Sequence, residues 1–357
     1  MELRDYLCSM ENITTHKIFD NSAIQMHQLG DNSIDLVVTS PPYPMIEMWD
    51  DILSEQNNEI KEALVNNNGM IAFELMHQLL DKVWSEVTRV VKPGGFVCIN
   101  IGDAARTING NFALYPNHSR IISYFCNNGF NNLPNIIWRK QTNSPNKFMG
   151  SGMLPAGAYV TLEHEWILIF RKGSKKEYRK ESEKHNRRES SYFWEERNIW
   201  FSDLWENIKG IKQNLTQPTS RSRTAAFPIG IPYRLINMYS VIGDTVLDPF
   251  LGTGTTSLAS IISKRNSIGY EIDNNFAQLA VDNIKETSAS SLNKIITQRI
   301  EMHKQFINKR NSENKEIKHF NNNLNLPVVT NQEKEIKFSI ISENNYDNFS
   351  FTTSYKD

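Results

Sequence analysis

Short apolar segments bounded by polar residues, glycine or proline recur along the chain and predict the strands of a buried sheet. These segments lie at residues 16–22, 34–38, 96–101, 135–138, 162–170, 245–247 and 266–270. Apolar side chains at helical spacing occupy much of the remaining chain. Within residues 44–92 they are Ile71, Leu75, Leu79, Val83, Val87 and Val90. Strands that alternate with helices predict an α/β fold with a mostly parallel sheet.

The remaining segments carry weaker signals. Further helices are predicted near residues 23–29, 119–127, 224–240 and 291–308. Residues 141–158 combine Asn, Ser, Gly and Pro without periodicity, which predicts a long loop of the kind that is usually functional or disordered. Residues 311–357 are poor in apolar side chains, so we expect a peripheral or partly disordered tail.

Composition is typical of a globular protein of the cytoplasm. The chain has 357 residues, 39% of them hydrophobic and 22% charged, and its formal net charge of -1 means that any nucleic-acid contact must rest on local charge. Cys8, Cys98 and Cys126 form neither a disulfide framework nor a metal-ligand cluster, which fits a reducing compartment and predicts no metal site. No apolar signal region and no apolar run of membrane length are found, so we expect no membrane association.

The segment Thr-Ser-Pro-Pro-Tyr at 39–43 follows a predicted strand. Its two prolines fix φ and cannot donate to a sheet, so the chain leaves the strand as a stiff turn, at the end where ligands bind in open α/β sheets. The turn suits a planar substrate with an amino group, because the amine would donate to the Ser40 hydroxyl and the Pro41 carbonyl while its ring stacks on Tyr43. Taken alone, the segment is equally consistent with a turn that merely ends the strand.

A second motif, Asp-Pro-Phe-Leu-Gly-Thr-Gly-Thr at 248–255, lies at a predicted strand-to-helix turn. Its glycines allow a ligand to approach the backbone near a helix N-terminus, and Glu271, after the next strand, is placed to accept hydrogen bonds from ribose hydroxyls. Ser257 replaces the third glycine of a dinucleotide fingerprint, no basic residue in the turn meets a diphosphate, and the P-loop lysine is missing. These features favour a nucleoside without phosphates, and the charge of Asp248 suits a cationic one such as S-adenosylmethionine.

Residues 171–223 differ in composition from the rest of the chain. They contain 14 Lys and Arg against 8 Asp and Glu, interleaved with Tyr192, Phe193, Trp194, Trp200, Phe201 and Trp205. Basic and aromatic side chains together favour contact with DNA through phosphates and stacking. The alternative is a solvated charged face over a small aromatic core, which Trp194, Trp200 and Trp205 fit equally well.

Together the two motifs resemble those of the amino-group DNA methyltransferases, the N4-cytosine and N6-adenine enzymes of restriction–modification systems. Residues 39–43 resemble the catalytic motif, residues 248–254 the cofactor motif, and residues 267–271 the strand that carries the ribose-binding acid. Residues 226–228 resemble the motif that closes over the methionine end, and residues 19–22 the segment on the adenine side. The catalytic motif comes first, as in the circularly permuted β class.

This resemblance implies an S-adenosylmethionine-dependent methyltransferase fold: a mostly parallel seven-stranded sheet flanked by helices, circularly permuted, with an inserted target-recognition region. Residues 16–170 would form the catalytic half of the methyltransferase domain and residues 224–287 its cofactor-binding half. Residues 171–223, with the 141–158 loop, would recognise the target. Residues 288–357 would form a C-terminal helix and an Asn/Lys-rich tail.

The resemblance also implies roles for individual residues. The expected catalytic residues are Ser40, Pro41, Pro42 and Tyr43. The residues expected to bind S-adenosyl-L-methionine are Asp20, Asn21, Ser22, Phe227, Pro228, Asp248, Phe250, Gly252, Gly254, Thr255 and Glu271. The residues expected to contact double-stranded DNA are Lys140, Lys147, Arg171, Lys172, Arg179, Arg187, Arg188, Arg221 and Arg223.

The expected reaction is methyl transfer to the exocyclic amine of a base flipped out of the duplex. Hydrogen bonds to Ser40 and Pro41 would draw the amine lone pair out of conjugation, and positioning would then drive in-line transfer without a metal or a covalent intermediate. The residue before the two prolines is Ser40, and a serine there resembles the motif of the N4-cytosine enzymes. Asp or Asn is usual at this position in the N6-adenine enzymes. Cytosine is therefore the predicted target, and adenine is the alternative.

Other classes remain as alternatives. A methyltransferase acting on RNA or protein is disfavoured by the permuted order and the basic segment, and an inactive DNA-binding relative by the intact motifs. A dehydrogenase is the weakest alternative, because it would have to bind NAD. The expected partners are DNA and, functionally, a cognate restriction endonuclease, and we expect a monomer or a homodimer.

Overall fold

The computed structural model describes residues 12–140, 149–209 and 227–356. The strands are β1 (Ile13–Phe19), β2 (Ile34–Thr39), β3 (Val91–Ile101), β4 (Ala104–Ile108), β5 (Asn111–Tyr115), β6 (Phe130–Asn132), β7 (Ile136–Arg139), β8 (Met149–Gly150), β9 (Ala158–Tyr159), β10 (His164–Lys172), β11 (Leu204–Trp205), β12 (Thr245–Asp248), β13 (Asn266–Tyr270), β14 (His319–Asn321), β15 (Leu326–Val328), β16 (Ile340–Asp347) and β17 (Ser350–Lys356). The α-helices are α1 (Asp50–Gln56), α2 (Asn58–Val65), α3 (Gly69–Val90), α4 (Asn117–Asn127), α5 (Glu181–Glu189), α6 (Trp194–Trp200), α7 (Gly230–Tyr239), α8 (Thr255–Ile262), α9 (Asn274–Glu286) and α10 (Ala289–Ser312).

A single large sheet organises the fold. In the described part of the chain it has eleven strands, in the order β11-β7-β10-β3-β2-β12-β13-β1-β17-β16, with β6 also paired to β10. All neighbours from β3 to β1 are parallel, whereas β10 runs antiparallel to both β3 and β7. The strands from β7 to β1 form the predicted seven-stranded, mostly parallel sheet, and the outer strands extend it. The α/β fold class is confirmed.

Helices cover both faces of this sheet, because successive residues of a strand point to opposite faces. On β2, Val37 packs in one buried cluster with Val83 and Trp84 of α3. Its neighbour Leu36 packs in a second cluster with Leu235 of α7. The two motifs thus lie on strands that are buried on both faces and fixed in position. No helix in the described ranges combines the length and apolar character needed to cross a bilayer.

The prediction of a helix near residues 23–29 is wrong. The chain runs there as successive turns, although Ala23, Met26 and Leu29 are buried. The Met26 N–H donates to the Glu86 carboxylate at 2.7 Å, and the Arg89 guanidinium donates to the Met26 and Leu29 carbonyls. Side chains of helix α3 therefore provide hydrogen-bond partners for the backbone of this segment. The apolar residues at helical spacing correctly indicated burial, but the segment is not a helix.

The expectation of a peripheral tail is also wrong. β17 pairs with β1 and β16 pairs with β17, so the C-terminal residues extend the main sheet. Along β17 the buried residues are Phe351, Thr353 and Tyr355, which alternate with more exposed positions. A strand with one buried face needs an inward side chain only at every second position. For that reason a segment of low apolar content still packs as part of the core.

Candidate active site

A cleft opens where β1, β2, β12 and β13 end, at the carboxyl edge of the parallel strands, and encloses about 1210 Å³ of empty space that is continuous with solvent. This is the edge at which ligands bind in open α/β sheets. Many residues predicted from the sequence line it: Ser22, Ser40, Pro41, Pro42, Phe227, Phe250, Gly252, Thr255 and Glu271. Adjacent strands β2 and β12 thus bring the two motifs to one site.

Gly252 and Gly254 serve the glycine turn in different ways, although φ is positive at both, 54° and 84°. A Cβ atom on Gly252 would meet only the Phe250 carbonyl oxygen, at 4.0 Å, so this backbone is open to the cleft that it lines. A Cβ atom on Gly254 would instead come within 3.3 Å of Ala280 and Ile284 of α9. Gly252 therefore leaves room for a ligand, whereas Gly254 permits close packing of a helix.

Glu271 is held in the cleft by backbone hydrogen bonds. Its Oε2 accepts from the Gly252 N–H at 2.9 Å, and its Oε1 accepts from the Asp273 N–H at 3.0 Å. Burial raises the pKa of this carboxyl above its ordinary value. Because each carboxylate oxygen has a further lone pair, both remain able to accept from a ligand hydroxyl.

Asp248 is buried, at 1% exposure, and is not among the residues that line the cleft. Its Oδ1 accepts from the Thr39 hydroxyl at 2.6 Å, and its Oδ2 accepts from the Thr256 hydroxyl, also at 2.6 Å. Burial raises the pKa of Asp248 to about 6. The carboxylate therefore joins β2, β12 and α8, a role that the sequence analysis did not predict.

Asp20, Asn21 and Pro228 also lie beside the lining residues and not among them. The Asn21 Oδ1 accepts from the Ser22 N–H at 2.8 Å, which orders the turn after β1. The Pro228 carbonyl accepts from the Ile231 N–H at 2.9 Å, at the beginning of α7. These residues thus shape the backbone next to Ser22 and Phe227.

Tyr43 is placed differently from the sequence prediction, which made its ring a stacking surface. Its side chain is buried, with the residue 8% exposed, and it is not among the cleft-lining residues. A Cβ atom on Gly102 would lie 3.0 Å from the Tyr43 ring, so this glycine allows the ring to pack closely. The Tyr43 hydroxyl donates to Glu165 Oε2 at 2.9 Å and lies 3.1 Å from Ser40 Oγ. Little of the ring is left open for a base to stack on.

An apolar wall of the cleft was missed by the sequence analysis. It consists of Trp49, Ile52, Leu53, Leu79, Leu80 and Val83, with Phe276 from α9 nearby. Part of this set belongs to the apolar series in residues 44–92, which was interpreted as core. Apolar residues at helical spacing indicate that one face of a helix is buried, but not whether protein or a ligand covers it. The sequence therefore contained no signal that distinguishes a core residue from a residue that lines the cleft.

The basic residues at 171–189 are not brought to the cleft. Because β10 is antiparallel to β3, its carboxyl end returns to the amino ends of the parallel strands, and Arg171 lies opposite Phe96. Lys172 donates to the carbonyl of Val91, the first residue of β3, at 2.7 Å. The sequence analysis did not predict the direction of β10, which decides the side of the sheet on which this segment emerges.

Helix α5 lies on that same side, since Asn186 donates to the Ile242 carbonyl just before β12. Nearby, the Arg187 guanidinium lies over a tyrosine ring, while Arg179 and Arg188 pair with carboxylates. Lys140 follows β7, at the carboxyl edge of the sheet, and pairs with the Glu165 carboxylate at 2.7 Å. Lys147, Arg221 and Arg223 lie outside the described residues.

The aromatic residues of the basic segment form a small core. Trp200 and Trp205 are 6% and 1% exposed, and the Trp205 indole donates to the Trp200 carbonyl. Trp194 is 38% exposed and stacks on Phe306 of α10. The alternative of a charged face over an aromatic core therefore describes Trp200 and Trp205.

Comparison with known proteins is consistent with this site. The family model described as DNA methylase, of the N6 and N4 type, matches residues 34–282 and so spans both motifs. The chain is 53% identical over 325 residues to the Type II methyltransferase M.MthZI of Methanothermobacter thermautotrophicus, which covers 91% of this chain and 90% of the relative. It is 51% identical over 293 residues to the Type II methyltransferase M.MjaI of Methanocaldococcus jannaschii. This match covers 78% of this chain and 94% of the relative.

Solved structures show the same fold. TTHA0409 of Thermus thermophilus, solved in complex with S-adenosyl-L-methionine, matches with a TM-score of 0.58 and 30% identity over 75% of this chain and 92% of that chain. The cytosine-N4-specific PvuII DNA methyltransferase matches with a TM-score of 0.55 and 17% identity, over 81% of this chain and 93% of that chain. The family model and the two Type II relatives extend across most of the sequence. The chain therefore belongs to the DNA methylase family of N6 and N4 amino-group methyltransferases.

Proposed function

We propose that this DNA methyltransferase modifies the N4 amine of a cytosine flipped out of double-stranded DNA at a specific site. The observation that carries the choice of base is Ser40, at the cleft edge where β2 ends. Its short hydroxyl offers lone pairs to an amine and, unlike an aspartate, carries no charge. A serine at this position resembles the N4-cytosine enzymes.

Ser40 and Pro41 would act on the amine, which is weakly nucleophilic because its lone pair is conjugated with the ring. Hydrogen bonds from the amine to the Ser40 hydroxyl and the Pro41 carbonyl would hold the nitrogen so that its lone pair leaves conjugation. The fixed φ angles of Pro41 and Pro42 keep these acceptors in place. Rate enhancement would come mainly from positioning.

The cleft fits S-adenosyl-L-methionine, the cofactor that the family uses. Glu271 would accept from the ribose hydroxyls, and the open backbone at Gly252 would lie against the ligand. The apolar wall that includes Trp49 and Ile52 would cover the uncharged part of the nucleoside. When bound, the cofactor supplies an electrophilic methyl group carried on a sulfonium.

We further infer that the modification protects DNA from a cognate restriction endonuclease, as expected for a relative of Type II methyltransferases. DNA would approach from the carboxyl edge of the parallel strands, since the cleft opens there. Lys140 directly follows β7 at that edge, and we propose that it contacts DNA there. Lys147, Arg221 and Arg223 remain proposed DNA contacts on the basis of the sequence. The basic residues at 171–188 are less suited to contact DNA at the cleft, because they lie near the amino ends of the parallel strands.

Nucleoside analysis tests the proposed base. Plasmid DNA would be incubated with the enzyme and methyl-labelled S-adenosyl-L-methionine, and then digested to nucleosides. We expect the label in N4-methylcytosine. Label in N6-methyladenine would contradict the choice of base but not the family, whereas absence of label in DNA, with label in RNA, would contradict the DNA substrate. Enzyme carrying Gly252→Val serves as the inactive control.

A further inference from the structure

A chain of hydrogen bonds runs from Lys140, just after β7, to Ser40 in the cleft lining, through side chains that the proposed mechanism does not use. Lys140 Nζ lies 2.7 Å from Glu165 Oε1. The Tyr43 hydroxyl lies 2.9 Å from Glu165 Oε2 and 3.1 Å from Ser40 Oγ. The Asn100 amide nitrogen completes the group, at 2.8 Å from the Tyr43 oxygen and 2.7 Å from Glu165 Oε2.

These residues come from separate strands that meet at the same edge of the sheet. Ser40 directly follows β2, and Asn100 is on β3. Lys140 directly follows β7, and Glu165 is on β10, opposite Trp138. The group is therefore assembled by the tertiary structure, and no local motif contains it.

The direction of every hydrogen in this chain follows from the donor and acceptor capacities of its members. An ionised carboxylate only accepts, and an amide nitrogen only donates. Asn100 must therefore donate both to Tyr43 and to Glu165, and the single hydrogen of Tyr43 must go to Glu165. The Tyr43 oxygen can then only accept from Ser40, so the Ser40 hydrogen points towards Tyr43 and away from the substrate.

The surroundings of Glu165 and Tyr43 stabilise this direction of the hydrogen bonds, from Ser40 to Tyr43 to Glu165. The ammonium of Lys140 donates to Glu165 Oε1 at 2.7 Å, and the Asn100 amide donates to Oε2 at 2.7 Å, so both oxygens of this carboxylate face donors. Burial, together with the adjacent Glu165 carboxylate, raises the pKa of Tyr43 well above its ordinary value, so that the phenol keeps its hydrogen. Glu165 is itself buried, at 9% exposure, which limits competition from water.

We propose that Glu165 is a positioning residue that acts through Tyr43 to present Ser40 as a hydrogen-bond acceptor. This inference rests on the proposed function, because it concerns the amine held at Ser40. If the Ser40 hydrogen pointed into the cleft, it would face the hydrogens of the amine and oppose binding. An acceptor at this position also disfavours a base with a carbonyl oxygen in place of the amine, such as thymine, since two acceptors would then face each other without a hydrogen.

Glu165→Gln tests this directly, because it preserves size while removing the all-acceptor carboxylate that fixes the direction of the chain. Lys140 would attract the amide oxygen of the new side chain, which leaves the amide nitrogen facing Tyr43, where it only donates. That nitrogen would also face the amide nitrogen of Asn100, which now donates to Glu165 Oε2, so the hydrogen bonds around Tyr43 would have to rearrange and would no longer hold the Ser40 hydrogen towards Tyr43. We expect kcat for DNA methylation to fall about tenfold or more, with the Kd for S-adenosyl-L-methionine changed less than about twofold.

Glu163→Gln is the matched control. Glu163 lies two positions away, and its carboxylate pairs with Arg139 at 3.4 Å. The same change of charge there should leave kcat unaltered. Tyr43→Phe is a second variant, which removes only the hydroxyl and should lower kcat to a similar degree while the ring keeps its packing.

The results separate three outcomes. A lowered kcat with unaltered Tm and cofactor Kd in both Glu165→Gln and Tyr43→Phe would support the proposal. A kcat within about twofold of wild type in Glu165→Gln, or a loss of kcat that accompanies loss of cofactor binding or of the folded state, would overturn it. Failure of the wild-type enzyme to label DNA would instead overturn the proposed function, on which this inference depends.

Discussion

The Thr39 hydroxyl donates to the Asp248 carboxylate at 2.6 Å and thereby joins two motifs that stand 209 residues apart in the chain. Thr39 is the last residue of β2 and Asp248 the last residue of β12, and these strands are neighbours in the sheet. Since Ser40 follows Thr39 and the glycine turn follows Asp248, the bond fixes the catalytic serine relative to the cofactor turn.

The buried carboxylate of Asp248 should make stability depend on pH. Burial raises its pKa from 3.8 to about 6, so its contribution to stability is fully present below pH 3.8 and is lost as pH rises through about 6. We expect the free energy of unfolding of wild type, relative to Asp248→Asn, to fall by roughly 3 kcal/mol between about pH 4 and pH 7. Urea unfolding of both proteins across this range measures the difference, and a difference independent of pH would contradict the prediction.

Gly252→Val should abolish cofactor binding, because the new side chain would occupy the cleft. Gly243→Val is the control, since Gly243 also has positive φ, 81°, and has open space where a Cβ would lie. Both variants should lose similar stability from backbone strain, while only Gly252→Val should lose affinity for S-adenosyl-L-methionine, by about a hundredfold or more. Calorimetric titration decides this, and equal affinity in the two variants would show that the cofactor site is misplaced.

Ser40→Ala should lower kcat roughly tenfold to a hundredfold, because it removes one of the two acceptors for the amine. Cofactor affinity should stay close to that of wild type. Ser33→Ala is the control, since Ser33 lies just before the other end of β2 and its hydroxyl donates to the Gly30 carbonyl. Single-turnover methylation rates test the prediction, which fails if both variants methylate at the wild-type rate.

The arginines on α5 should contribute little to DNA binding, because they lie at the opposite edge of the sheet from the cleft. We expect the double variant Arg187→Ala, Arg188→Ala to bind DNA within about twofold of wild type. The double variant Arg221→Ala, Arg223→Ala should weaken binding and reduce the dependence of log K on log salt by about two units of slope. Fluorescence titrations at several salt concentrations compare the two, and an unchanged slope in the second variant would remove those arginines from the interface.

The C-terminal strands should be required for stability. Phe351 of β17 is 3% exposed and stacks on His16 of β1, so Phe351→Ala should cost about 3–5 kcal/mol. Phe320 is 43% exposed, and Phe320→Ala should cost less than about 1 kcal/mol. Urea unfolding of both variants provides the comparison. Equal costs would mean that β17 does not contribute to the folded core.

The sequence by itself determined the fold class and the parts of the site that are local in the chain. The proline turn after β2 and the glycine turn after β12 depend on backbone preferences of consecutive residues, so their positions at strand ends followed from short segments. Glu271, at the end of β13, was accessible to the same argument. These local turns supply part of the cleft lining, and the apolar wall that includes Trp49 and Ile52 supplies another part.

Only the tertiary structure decided which side chains meet across strands and on which side of the sheet a segment emerges. The antiparallel direction of β10 placed Arg187 and Arg188 away from the cleft, and strand pairing brought β17 into the core. The same pairing gathered Lys140, Glu165 and Tyr43 beside Ser40. Hydrogen bonds and packing between residues far apart in the chain depend on the order and direction of the strands. The spacing of residues within one segment carries no information about either.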